Sequence, residues 1–353
     1  MNQYTREIIS EYDSKQELYR RLADAAHDKL SRILADNGIS RVHIAYRIKE
    51  RSSVLDKLRR KAGKYHSIDD MTDVVGLRVI CYFPDQVDQV SSIICDSFSI
   101  DADNSIDKRK ILDPSTFGYL SMHYICRLTD LEGPESGIRF EIQIRTMLQH
   151  TWAEIEHDMG YKSEIAVPRE VRRDFARVAS LLEIADGYFM TIKNRLEAYE
   201  NEVIESIRNE RADDMALNRV TLAQFIRCSS EYTALNDDIA SITGASLTES
   251  QSEHYLPLLQ FFGLNTISDL KKLMSDERDH ALSIARSILT DSEIEDLIST
   301  VGLYYLCRAK LIYGEYSVDE IGRFFAESGY DEDRIERLSG YILNMRERYK
   351  DQG

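Results

Sequence analysis

Two stretches of this chain alternate between apolar and charged residues, and a period of two confines them to strands whose faces meet different surroundings. Ile138 to Arg145 puts Glu141, Gln143 and Arg145 on one side and Ile142 and Ile144 on the other. Ile39 to Ile48 sets Val42, Ile44, Tyr46 and Ile48 against Arg41, His43, Arg47 and, just beyond, Lys49. Asp73 to Phe83 is a mostly apolar strand that carries Arg78, and Tyr119 to Leu128 is a fourth. Helical spacing predicts one long amphipathic helix over 4–36, then helices over Ser52 to Ala62, Val87 to Phe98 and Met147 to Met159. A sheet with a charged face either meets solvent or meets a ligand. Several such strands in one chain, bearing both signs of charge, favour the ligand.

After Pro168 the pattern changes to helices, broken at Gly244, Pro257, Gly263, Gly314 and Gly329, and no further strand is predicted. The organisation expected is an N-terminal helix (1–38), a domain with a mixed β-sheet flanked by helices (39–168), a long helical connector (169–215) and an all-helical module (216–353). With 43% apolar residues, the 353-residue chain has material for more than one core. Its longest apolar runs are too short to span a membrane, and residues 1–10 lack the apolar core of a secretory signal, so a cytoplasmic location is expected. The five cysteines are scattered without metal-site or disulfide spacing and read as free thiols.

Charge is distributed unevenly. Of the net −16, residues 201–353 carry −12, while Arg41 to Lys64 carries a local +7. A basic cluster inside an acidic chain suits a polyanion of limited size held in a cleft. Phosphoryl transfer needs cations for the phosphates, carboxylates for a divalent metal and a group that takes the attacking hydroxyl's proton. Asp73 and Glu141 are candidates for the carboxylates, Arg47, Lys49, Lys57, Arg78 and Arg145 for the cations, and Tyr119 for an aromatic platform under a base. These residues alone predict a nucleotide-like polyphosphate site.

Four ordered motifs make the reading more specific. Arg47-x-Lys49-x-x-x-Ser53-x-x-x-Lys57, Asp73-x-x-x-x-Arg78, Gly118-Tyr119-x-Ser121-x-His123, and Glu141-x-Gln143-Ile144-Arg145-Thr146 followed by His150, Ala153 and Glu154 resemble the synthetase domain of the RelA/SpoT family, over residues of about 40–165. The resemblance implies a nucleotidyltransferase-like domain that transfers pyrophosphate from ATP to GDP or GTP. It implies Mg²⁺ on Asp73 and Glu141, with Glu141 also the base. Arg47, Lys49, Ser53, Lys57, Arg78 and Arg145 would lie on the ATP side. Lys108, Tyr119, Ser121, His123 and Gln143 would lie on the acceptor side. Where the family commonly has a lysine after the proline and a polar residue after the tyrosine, this chain has Ser115 and Leu120. Both departures concern the acceptor. A tRNA 3′ end or an adenosine nucleotide therefore stays open as an alternative acceptor, and a non-catalytic nucleotide sensor is the reading from another class.

His27-Asp28, a His-Asp pair of the kind that could suggest the hydrolase of bifunctional relatives, lies within an amphipathic helix without the other hydrolase elements. A small, synthetase-only enzyme is expected, with the C-terminal helical module as the place for self-association or a protein partner.

Overall fold

The computed structural model describes residues 3–107, 121–129, 133–161, 168–290 and 292–350. Two compact units divide the chain, residues 1–193 and 194–353. The first opens with α1 (Gln3–Ser14) and α2 (Gln16–Asp36), two helices where apolar spacing suggests one. The break has local causes. Lys15 leaves the helical region with φ −97° and ψ 5°, and the Ser14 hydroxyl donates back to the Glu11 carbonyl at 2.7 Å, a local bond that competes with helix continuation. The Lys15 ammonium meets Asp69 at 2.7 Å, which ties the break to a distant loop.

There follow β1 (Val42–Ile48), α3 (Arg51–Arg60), β2 (Val75–Cys81), α4 (Pro84–Ser97), β3 (Ser99–Ile100), β4 (Ile106–Asp107), β5 (Met122–Arg127), β6 (Phe140–Thr146) and α5 (Met147–Tyr161). They form a mixed sheet in the order β1-β2-β6-β5-β3, with β4 also on β5. The central pair β2–β6 is parallel and the other pairs are antiparallel. Asp73, read as the start of a strand, precedes β2 by two residues.

The predicted alternation decides which way the sheet faces. Leu77, Val79, Ile142 and Ile144 are at most 1% exposed, in one core with Leu22, Ala26 and Leu30 of α2 and Val90 and Ile94 of α4. Each such side chain contributes on the order of 1.5–3 kcal/mol by leaving water. The opposite face keeps its charged residues clear of that core, and α5 contacts β2 and β6.

α6 (Arg169–Arg208) is a single 40-residue helix, within which the division between units falls. The second unit continues with α7 (Arg219–Cys228), α8 (Ser230–Ala240), β7 (Ser246–Thr248), α9 (Tyr255–Phe261), α10 (Ile267–Leu289), β8 (Asp296–Ile298), α11 (Val301–Tyr313), α12 (Val318–Glu327) and α13 (Glu332–Lys350). It is helical around its own core, centred on residues such as Phe225, Leu270, Leu306 and Phe325. It departs from the strand-free expectation in one respect: β7 and β8 form a parallel two-stranded ladder. Three residues per strand are too few to show periodicity in a sequence, so only the pairing reveals them.

Among the described residues, no helix is long and apolar enough to cross a membrane. Since Ile142 is fully buried at the centre of the sheet, Ile142→Ala should destabilise the first unit by about 2–5 kcal/mol. Urea unfolding followed by the fluorescence of the single tryptophan, Trp152, checks this. A loss below about 1 kcal/mol would mean that the core is not where the sheet places it.

Candidate active site

Strand register gathers the candidate residues on one face. Arg47, Gly76, Glu141 and Ile125 stand in one row across β1, β2, β6 and β5, and Ala45, Arg78, Gln143 and His123 stand in the next. A third row contains His43, Ile80 and Arg145. Long cationic side chains alternate with small ones: Arg47 opposes Gly76, and Arg78 opposes Ala45. The result is a cleft lined by Ala45, Arg47, Gly76, Arg78, Glu141 and Gln143, among others. A Cβ added at Gly76 would meet nothing within 4 Å. The glycine therefore answers no turn or packing demand; it leaves open space.

At one end of this face Asp73 receives two lysines. Lys49 Nζ donates to Oδ2 at 2.8 Å and Lys57 Nζ to Oδ1 at 2.7 Å. Burial alone would raise the Asp73 pKa, but the two ammonium groups more than offset it and hold the carboxyl below its usual range. Two backbone contacts fix Lys49. Its N–H donates to the Val74 carbonyl at 2.8 Å, and its carbonyl accepts from the Tyr12 hydroxyl at 2.6 Å. Lys57 comes from α3, one turn beyond the exposed Ser53.

A hydrogen-bonded chain runs through the centre. Ser121 Oγ lies 2.6 Å from His123 Nε2, and His123 Nδ1 lies 2.7 Å from Glu141 Oε1. Gln143 Nε2 donates to Glu141 Oε2 at 2.7 Å, and Arg145 donates to Gln143 Oε1. Burial pushes Glu141 up, while the bonds from His123 and Gln143 bring it below the ordinary value, so the carboxylate is ionised at neutral pH. Asp73 is close enough for its charge to oppose that of Glu141.

At the far end Arg78 donates to Glu154 of α5 at 2.9 Å. Arg145 is only 7% exposed; desolvation, with Arg78 nearby, pushes its pKa down to about 10. His150 is lowered by desolvation and then by Arg78. Arg47 is exposed and makes no ion pair among the described residues.

The structure thus brings together Arg47, Lys49, Lys57, Asp73, Arg78, Ser121, His123, Glu141, Gln143 and Arg145. Lys108 and Tyr119 lie outside the described residues, as do all of residues 114–120, on which the acceptor departures fall. Sequence reasoning missed Tyr12, whose support of Lys49 spans 37 positions without any local signal. It also missed the opposition of Ala45 to Arg78, which only register reveals.

A family model described as a region found in RelA / SpoT proteins matches residues 46–166. GTP pyrophosphokinase YjbM of Bacillus subtilis (strain 168) is 31% identical over 154 residues, covering 43% of this chain and 71% of that protein. GTP pyrophosphokinase YwaC of the same organism is 25% identical over 201 residues, or 54% of this chain and 94% of that one. Among solved structures, small alarmone synthetase 1 from Bacillus subtilis is 26% identical, covering 54% of this chain and 99% of its own, with a TM-score of 0.46.

The paired lysines on Asp73 link stability to pH. A carboxyl whose folded pKa is depressed adds stability that is complete above its unfolded value, near 3.9, and disappears as pH falls through the folded value. The stability advantage of the native chain over Asp73→Asn should therefore be constant from neutral pH down to about 5 and shrink below it. Urea midpoints measured at intervals from pH 7 to pH 3 test this, and a difference that stays constant throughout would remove the ion pairs from the account.

Proposed function

This chain belongs to the RelA/SpoT family and is a pyrophosphokinase, and from that premise we propose that it transfers the β,γ-pyrophosphate of ATP to the 3′-hydroxyl of GDP or GTP. The observation that carries the proposal is the row of Arg47, Gly76 and Glu141 across three strands, with the Lys49–Asp73–Lys57 cluster beside it. We assign the transfer to a synthetase domain over 39–168, and a regulatory or partner-binding role to 216–353.

Arg47 and Arg78 rise from a floor made by Ala45 and Gly76. Planar guanidinium groups stack on aromatic faces, so this floor takes the adenine of ATP. Lys49 and Lys57 exchange Asp73 for phosphate oxygens, with Arg145 adding positive charge behind them. Ser53 lies on the same helix face as Lys57 and belongs to the donor side. On the acceptor side Ser121 and His123 flank Glu141, and Lys108 and Tyr119 complete it in this reading.

RelA/SpoT pyrophosphokinases generally need a divalent metal, and we propose Mg²⁺. The donor set fits. Asp73 and Glu141 are oxygen ligands whose charges act on one another, and Mg²⁺ characteristically takes one or two carboxylates, with water and substrate phosphates as its other ligands. When bound, the ion neutralises charge on the transferring pyrophosphate.

The acceptor hydroxyl oxygen forms a bond to the β-phosphorus of ATP, the bond from that phosphorus to the α–β bridging oxygen breaks, and AMP leaves with the electron pair. The hydroxyl proton goes to Glu141. His123 and Gln143 each hold one oxygen of that carboxylate, so its orientation is set before the acceptor arrives, which is the source of catalytic advantage in a preorganised site.

Asp73→Asn and Glu141→Gln should each lower turnover about a hundredfold or more with unchanged circular dichroism. Retention of more than about a tenth of native turnover in both would sink these assignments. Gly76→Val, placed in open space, should keep the fold and weaken ATP binding at least about tenfold, measured by titration; unaltered affinity would move the adenine elsewhere. Incubation with β,γ-labelled ATP and, separately, GDP, GTP, ADP, ATP or deacylated tRNA tests the acceptor. Label is expected on the guanosine nucleotides, and label confined to tRNA or to adenosine nucleotides would overturn that choice.

A further inference from the structure

The strand that carries Glu141 and Gln143 ends in a turn whose geometry is set from another helix. Thr146, the last residue of β6, is fully buried. Its N–H donates to Gln149 Oε1 at 2.9 Å, and its Oγ1 accepts from the Gln149 N–H at 3.1 Å. This reciprocal pair is a capping box, and it fixes the direction in which α5 leaves the sheet. A threonine hydroxyl has one proton to give, and here it goes to Asp186 Oδ2 of α6 at 2.7 Å. With the proton committed to that carboxylate, the lone pairs are left to face the Gln149 N–H. The capping box itself needs only Thr146 and Gln149. Asp186 is 5% exposed, and a carboxylate is costly to bury, so its presence behind the cap asks for a further reason.

Two groups of the donor side depend on that turn. Arg145, the residue before Thr146, is buried and donates to Gln143, and its Nε has no hydrogen-bond partner among the described residues. The direction of the guanidinium is thus set largely by where the backbone of β6 ends. Arg78 is held from the other side of the turn by Glu154, about two turns along α5, at 2.9 Å. A second bond joins the same two helices: Trp152 Nε1 of α5 donates to the Phe175 carbonyl of α6 at 3.3 Å. Ser121 and His123, on the acceptor side, bond to one another and to Glu141.

We infer that Asp186 is a positioning residue for the transfer reaction: through the Thr146 hydroxyl it seats α5, and so holds Arg78 and Arg145 in the geometry that receives ATP. The inference rests on the donor-side assignment made above. A charged group that must meet phosphate or adenine works only if its own support is rigid, and a small displacement of that support weakens binding on its side of the site.

The test uses the full chain and titration with ATP. Asp186→Asn keeps an oxygen that accepts from Thr146 and should bind ATP within about twofold of the native chain, whereas Asp186→Ala, which frees the hydroxyl, should weaken ATP about fivefold or more. The KM of the acceptor should stay within about twofold in both variants. Acrylamide quenching of Trp152, the single tryptophan, should rise in Asp186→Ala and not in Asp186→Asn. Thr146→Val strands the carboxylate, so it is read beside the double variant Thr146→Val with Asp186→Ala. The double variant should bind ATP no more weakly than Asp186→Ala, since both changes break one bond. Native-like ATP affinity in Asp186→Ala, an equal weakening of ATP and acceptor, or losses that add in the double variant would each overturn the role of Asp186. Gly76→Val separates that result from failure of the donor assignment. If Gly76→Val weakens ATP and Asp186→Ala does not, only the role of Asp186 falls; if neither weakens ATP, the donor assignment falls with it.

Discussion

The parallel registration of β2 on β6 is the constraint on which the candidate site depends, because it sets Gly76 beside Glu141 and Arg78 beside Gln143. With a side-chain period of two, a slip of one residue would carry Glu141, Gln143 and Arg145 into the core and bring Ile142 and Ile144 out to water. Register is therefore enforced by the apolar face, through Leu77, Val79, Ile142 and Ile144 packed beneath α2 and α4. The chemistry on one face is positioned by hydrophobic burial on the other.

The site pairs part of its own charge. Asp73 occupies both lysines, and Glu141 is held by His123 and Gln143. In the proposed reaction a polyphosphate would offer the lysines another partner and so release Asp73 for a cation. Arg145 is held at a cost, since desolvation beside another guanidinium lowers its pKa to about 10. Ionisable groups perturbed in this way cluster at functional sites.

The second unit carries most of the negative charge, and along the groove beside α7 Arg219 and Arg227 are matched by Glu249 and Glu253. It is built around its own core of aromatic and aliphatic residues, such as Phe225, Leu306 and Phe325.

The amino-acid sequence by itself determined the two-faced strands, the cationic run around Arg47 to Lys57 and the ordered motifs that carry the family resemblance, because period-two alternation and short spacings are local properties. It was also enough to place a helical region after Pro168. Only the tertiary structure decided the rest. The Lys15 side chain at the helix break is held by Asp69, 54 residues away. The support of Lys49 depends on Tyr12 of α1, the opposition of Arg47 to Gly76 depends on strand pairing, and β7 is a strand only because Asp296 to Ile298 comes alongside it. Such relations are contacts between distant segments, and they come into being only when burial of the apolar face and satisfaction of backbone hydrogen bonds select one arrangement of the whole chain.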